Sequence, residues 1–135
     1  SRRGNLERAA VEFKKAIELK PNYGDAYHNL ANTYQQMEKI PEAIENYQKA
    51  LAINPQLWQS YQNLAIIYFQ QGRLNLTEEN FQKAIKINPQ NVSLYFNLGV
   101  VYFKAEKKAA AKEAFLKALQ LDPQNQKIKQ ILSEL

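Results

Sequence analysis

The sequence holds a single histidine, His28, and no cysteine. One imidazole cannot form a paired-ligand zinc site, and the missing thiols remove disulfides, thiolate metal sites and thiol nucleophiles together. His28 therefore reads as a hydrogen-bonding surface residue rather than a catalyst. The adjacent carboxylates Glu78 and Glu79 would point apart on a helix, where they suit its first turn better than acid–base chemistry. Four glycines lie scattered with no phosphate-cradling loop. No catalytic residue, metal ligand or cofactor is expected.

Charge and hydropathy narrow the partners. The net charge of +5 is carried by the ends. Residues 1–23 hold six basic and three acidic side chains, residues 24–103 five and six, and residues 104–135 seven and four. Lys104, Lys107, Lys108 and Lys112 could contact phosphates, but the cluster is short and lies near Glu106 and Glu113. This is a weak footprint for nucleic acid. No run of 18 apolar residues exists, so no membrane insertion is expected. No targeting leader is visible, which makes the cytoplasm the default expectation. Asn75-Leu76-Thr77 and Asn91-Val92-Ser93 are formal glycosylation acceptors of a kind common by chance in an Asn-rich chain.

What organises the chain is its repetition. Pro21, Pro55, Pro89 and Pro123 recur every 34 residues. Ala16, Ala50, Ala84 and Ala118 keep that interval, as do Phe13, Tyr47, Phe81 and Phe115. Tyr27, Tyr61 and Tyr95, then Leu30, Leu64 and Leu98, then Tyr34, Tyr68 and Tyr102 form further columns. Between Asp25 and Met37, Tyr27, Leu30, Ala31 and Tyr34 fall on one helical stripe. From Pro41 to Ile53, Ala43, Ile44, Tyr47, Ala50 and Leu51 fall on another. Pro41 suits a helical first turn, and Asn54-Pro55, Asn88-Pro89 and Asp122-Pro123 end second helices because the residue before proline leaves the helical region. Gly72 permits a left-handed turn between paired helices, and Gly4 falls in the same register. Ala31, Ala65 and Gly99 mark where a first helix approaches its partner closely, and the large rings fill the spaces between.

This pattern resembles the tetratricopeptide repeat family, whose Leu-Gly, Tyr, Ala, Phe, Pro signature reads here as Leu98-Gly99, Tyr102, Ala111, Phe115, Ala118 and Pro123. The resemblance runs from Gly4 to Pro123. It implies an all-α, right-handed α-solenoid of antiparallel helix pairs. The expected array has a second helix alone at 4–23, full units at 24–57, 58–91 and 92–125, and a cap or the start of another unit at 126–135. Thr77 replaces the usual alanine of its column, and Glu38 and Glu106 replace the turn glycine.

In the family the first helices line the concave side and hold the ligand. Carried over by position, the groove residues are Asp25, His28, Asn32, Gln35 and Gln36, then Gln59, Gln62, Ile66, Phe69 and Gln70, then Ser93, Phe96, Val100, Phe103 and Lys104. Ile66, Phe69, Phe96, Val100 and Phe103 are a heavy apolar load for a surface, which marks an interaction site unless neighbouring helices cover it. Asn29, Asn63 and Asn97 recur just before the conserved-register leucine. They resemble the asparagine rows with which superhelical family members hold a peptide backbone, the alternative being hydrogen bonds within the stack. Chaperone-binding members grip a carboxylate tail with Lys and Arg, which His28, Asn32, Asn63, Ser93 and Asn97 do not supply, so such tails are not expected partners.

The expected function is thus a non-catalytic scaffold for another protein or a peptide with apolar anchors. Two alternatives are a homo-oligomer joined through the open repeat ends, with Leu6, Val11 and Phe13 on an uncovered edge, and an RNA-binding helical repeat. Trp58 is either a groove anchor or a cover for Pro55. Lys15, Lys49, Lys83 and Lys117 form a once-per-unit stripe expected to be solvated. Replacing Ala84 with Leu should overpack a helix junction and lower stability by about 1–3 kcal/mol in urea unfolding; an unchanged midpoint would contradict the close approach assigned to that column.

Overall fold

The computed structural model describes residues 1–135 as eight helices: α1 (Arg2–Leu19), α2 (Gly24–Gln36), α3 (Ile40–Ile53), α4 (Trp58–Gln70), α5 (Leu74–Ile87), α6 (Val92–Lys104), α7 (Lys108–Leu121) and α8 (Gln126–Ser133). The closest pairs are α2 with α3, α4 with α5 and α6 with α7. Each pair then leans on the next, as a helical repeat solenoid requires when no pair can bury both of its faces alone. The core accordingly runs as three successive clusters. Leu30, Ala31, Tyr34, Ala43 and Tyr47 centre the first, Ala65, Phe81, Ala84 and Leu98 the second, and Ala111, Phe115, Ala118 and Ile128 the third.

The repeated columns map directly onto this core. Tyr47, Phe81, Ala50, Ala84 and Ala118 are fully buried, and Phe115 nearly so. Phe13 and Ala16 share those columns but are only partly covered, on a helix that packs against α2. Lys20, Asn54, Asn88 and Asp122 close the four second helices outside the helical region, with φ of −143°, −132°, −129° and −137°, each passing its N–H to the alanine carbonyl four residues back.

The turns inside each pair are Schellman motifs. Lys39, Arg73 and Lys107 donate to the carbonyls of Tyr34, Tyr68 and Tyr102 at 2.8–2.9 Å, and Glu38, Gly72 and Glu106 hold φ of 62°, 76° and 62°. The glutamates therefore adopt the left-handed turn that glycine favours. Gly4 does not: it lies within α1, its N–H capped by Ser1 Oγ at 3.2 Å, so the turn expected from its register is corrected to helix.

Buried polar side chains are answered locally. Thr77, in an alanine column, returns its hydroxyl to the Arg73 carbonyl at 2.9 Å, while Asn46 and Asn80 donate to the carbonyls of Glu42 and Leu76 at 2.8 Å. Trp58 packs against the second core cluster. Lys15, Lys49 and Lys83 form exposed ion pairs with Glu12, Glu45 and Glu79 along the outer stripe, contacts that contribute only tenths of a kcal/mol. At the N-terminal edge Leu6 and Phe13 pack against the first core cluster, and Val11 alone of the three edge residues is open, at 49% exposure. The helical stripe that meets α2 takes Leu6 and Phe13 with it, which leaves less apolar edge than the sequence implied. No helix is long and apolar enough to cross a membrane.

A left-handed φ costs an L-residue about 1–2 kcal/mol, partly offset by the looser unfolded chain that glycine gives. Glu38→Gly and Glu106→Gly should each raise stability by about 0.5–1 kcal/mol, and Gly72→Ala should lower it by about 1 kcal/mol, all read by urea unfolding. Destabilisation by either glycine would contradict the turn geometry.

Candidate peptide-binding groove

The first helices α2, α4 and α6 form one layer, and their facing side chains divide it into two unlike halves. Between α2 and α4 the groove is polar and internally bonded. Asn32 Nδ2 donates to His28 Nε2 at 3.2 Å, which leaves His28 Nδ1–H to donate to Ser60 Oγ at 2.6 Å. Asn63 Nδ2 donates to Asn32 Oδ1 at 2.9 Å and to the Tyr47 hydroxyl at 3.1 Å. The phenol has one proton to give, and both Asn32 Oδ1 and Gln35 Oε1 lie within its reach, the latter at 2.7 Å. These bonds join α2, α3 and α4 across a repeat junction, and no buried side-chain polar atom in the chain lacks a partner.

Burial tunes both titratable members. It pushes the Tyr47 phenol up to about 12, against the Asn63 hydrogen bond, which pulls it down. Burial also lowers His28 below its ordinary 6.5, with Asp25 acting in the opposite sense. The neutral ring is what the network needs, since a second ring proton would face the Asn32 amide N–H head-on. Ser60 and His28 are thus brought together, as a hydrolase would bring them. Yet Ser60 is 0% exposed and the imidazole is already engaged on both nitrogens, so no substrate carbonyl reaches the hydroxyl.

Between α4 and α6 the groove is apolar. Ile66, Phe69 and Gln70 face Asn97, Val100 and Lys104 around a cavity of about 230 Å³. Phe96 packs edge-on to Phe115 at 5.6 Å. A second cavity of about 320 Å³ lies between α6, α7 and α8, lined by Val100, Phe103, Phe115, Ile131, Glu134 and Leu135. Phe103 is 53% exposed, whereas Ile66, Phe69, Phe96 and Val100 are half-buried against the second and third core clusters. The apolar surface expected here is therefore a set of partly covered walls with one free ring.

The three recurring asparagines do not form a uniform row. Asn63 is engaged in the polar network, Asn29 is exposed with its side chain unbonded, and Asn97 lines the apolar cavity. Gln35 is bonded to Tyr47, while Gln62 is half-buried and Gln70 exposed. The lysine cluster is split: Lys104 lines the groove, and Lys107 pairs with Glu78 on α5 at 3.5 Å.

Sequence reasoning missed Ser60 and Tyr47 as members of a polar site. The signal was present, since Ser60 shares its column with Ala26 and Leu94, and Tyr47 is the one phenol in a column of phenylalanines. A folded state that prefers neutral His28 draws stability from it fully above about pH 6.5 and loses it as pH falls through the lowered value. The stability difference between the native chain and His28→Ala should hence shrink from pH 7 to pH 5. A difference that grew on acidification would mean the protonated ring is the one the network holds.

Comparison with known proteins agrees with this architecture. A family model described as TPR repeat matches residues 2–38 and 67–105, and two described as Tetratricopeptide repeat match 24–57 and 92–125, and 46–79. No curated protein matches the chain. Among solved structures, MamA is 25% identical with a TM-score of 0.81, covering 87% of this chain and 69% of that one. A structure from the functional characterization of Pseudomonas aeruginosa pilF is 30% identical with a TM-score of 0.83, covering 98% of this chain and 61% of that one. The chain thus spans about two thirds of the length of these structures. With a repeating core, left-handed turns in register and these matches along its length, the chain belongs to the tetratricopeptide repeat family.

Proposed function

We propose that this chain is a non-catalytic scaffold that holds a segment of another protein in the groove formed by its first helices. A protein-interaction scaffold is what its family supports, and the binding mode is our reading of the groove. The observation that carries it is the apolar cavity between α4 and α6, walled by Ile66, Phe69 and Val100. Phe103 stands free beyond it. Grooves that bind peptides offer apolar walls with a few amides at the rim, and Gln70 and Asn97 hold those places. The ligated residues on this reading are Ile66, Phe69, Gln70, Phe96, Asn97, Val100 and Phe103, with Asn29, Asn32, Gln35, Gln62 and Asn63 continuing the same face toward α2.

The double variant Phe69→Lys, Phe103→Lys places two charges on this wall. Affinity capture from lysate should lose the partner retained by the native chain while the helical melting curve survives. Equal retention by both would place the working surface outside the groove.

A further inference from the structure

We propose that the segment held in this groove is acidic, with apolar anchors, and that it seats on the C-terminal half between α4, α6 and α8. This rests on the groove reading above and assigns its ligand class.

The two halves of the groove differ in what they leave free. On α2 and α4, His28, Asn32, Gln35 and Asn63 bond to one another, to Ser60 or to Tyr47. A ligand entering there would have to replace contacts already made, and each part-buried amide left unpaired is penalised. Farther along, the α4–α6 cavity is mostly apolar and its rim amide Gln70 makes no side-chain hydrogen bond, while the α6–α8 cavity sets Val92, Phe96 and Ile128 beside Ser93, Lys127 and an Asn125 already bonded to Asp122 and the Ile128 N–H. Asn97 makes no side-chain hydrogen bond and borders both the α4–α6 cavity and the α6–α8 cavity of about 270 Å³.

Charge selects the ligand. Lys104 lines the first of these cavities and Lys127 the second, and no carboxylate lines either one. Neither lysine enters an ion pair. The Lys127 Nζ lies 5.2 Å from the Phe96 ring centroid, a cation–π contact that holds its charge over the apolar wall. Residues 58–70, 92–104 and 126–135 together carry one carboxylate, Glu134, against Lys104, Lys127 and Lys129. Cations without counter-ions beside apolar walls favour a segment that brings both carboxylates and aliphatic or aromatic anchors, and they repel a basic one.

The test is to select peptides from a random twelve-residue display library on the whole chain, then measure their binding by fluorescence anisotropy. Enriched peptides should carry Asp or Glu beside Leu, Ile or Phe. Their binding should weaken about tenfold in Lys104→Glu, Lys127→Glu and fall as salt is raised. It should persist in Lys49→Glu, Lys83→Glu, which reverse two charges on the outer stripe. These lysines are at the surface, and unchanged melting verifies that each variant is folded. If peptides lost by Phe69→Lys, Phe103→Lys ignore the Lys104 and Lys127 reversals, or are neutral or basic, the acidic class is wrong while the groove reading stands. If no enriched peptide depends on Phe69 or Phe103, the groove reading falls and takes this proposal with it. A single-stranded oligonucleotide that binds more tightly than any peptide, and is lost in Lys104→Glu, Lys127→Glu, would overturn the peptide assignment in favour of a nucleic acid.

Discussion

One steric exchange underlies the whole array: a small residue on each first helix faces a large ring on its second helix. Ala31, Ala65 and Gly99 stand in the first column, and Tyr47, Phe81 and Phe115 in the second. Its tightness is measurable at Gly99, where a β-carbon would come within 2.7–2.9 Å of the Phe115 ring. The backbones can approach only because the small residue yields space, and the ring then fills what the approach would leave empty. Repeated at fixed register, this exchange sets how closely the two helices of each pair pack.

The same ring decides the chemistry of that face. Residue 32 and its equivalents 66 and 100 are Asn, Ile and Val, matching the rings Tyr47, Phe81 and Phe115. Where the ring carries a hydroxyl, an amide meets it; where it does not, an aliphatic side chain covers it. A buried phenol without its partner would incur a desolvation penalty, and an asparagine against phenylalanine would do so as well. The groove therefore changes from polar to apolar in step with its core. A surface that contacts a partner is here dictated by packing one layer below it.

Much of this was legible in the sequence. The period, the helix pairs, the proline stops and the buried ring and alanine columns follow from residue type and spacing. The groove was legible as a list of positions but not as a pattern of bonds. Nothing local in Asn63 distinguishes it from Asn29 or Asn97; only the approach of α4 to Tyr47 and Asn32 does. Likewise the edge residues Leu6 and Phe13 share an apolar stripe with Ile17, and it takes the docking of α1 on α2 to turn that stripe toward the core. Turn geometry ran the other way: Glu38 and Glu106 carry no local preference for positive φ, yet the tertiary register imposes it.

The central claim is that a partner lies against the first helices and not the outer stripe. Site-specific photo-crosslinking tests it most directly, with a photoreactive amino acid placed at Gln70 on the α4–α6 rim or at Lys83 on the outer face. Crosslinks to a captured partner from position 70 and none from position 83 are the result expected. Crosslinks from position 83 alone would place the binding surface on the second helices and contradict the account.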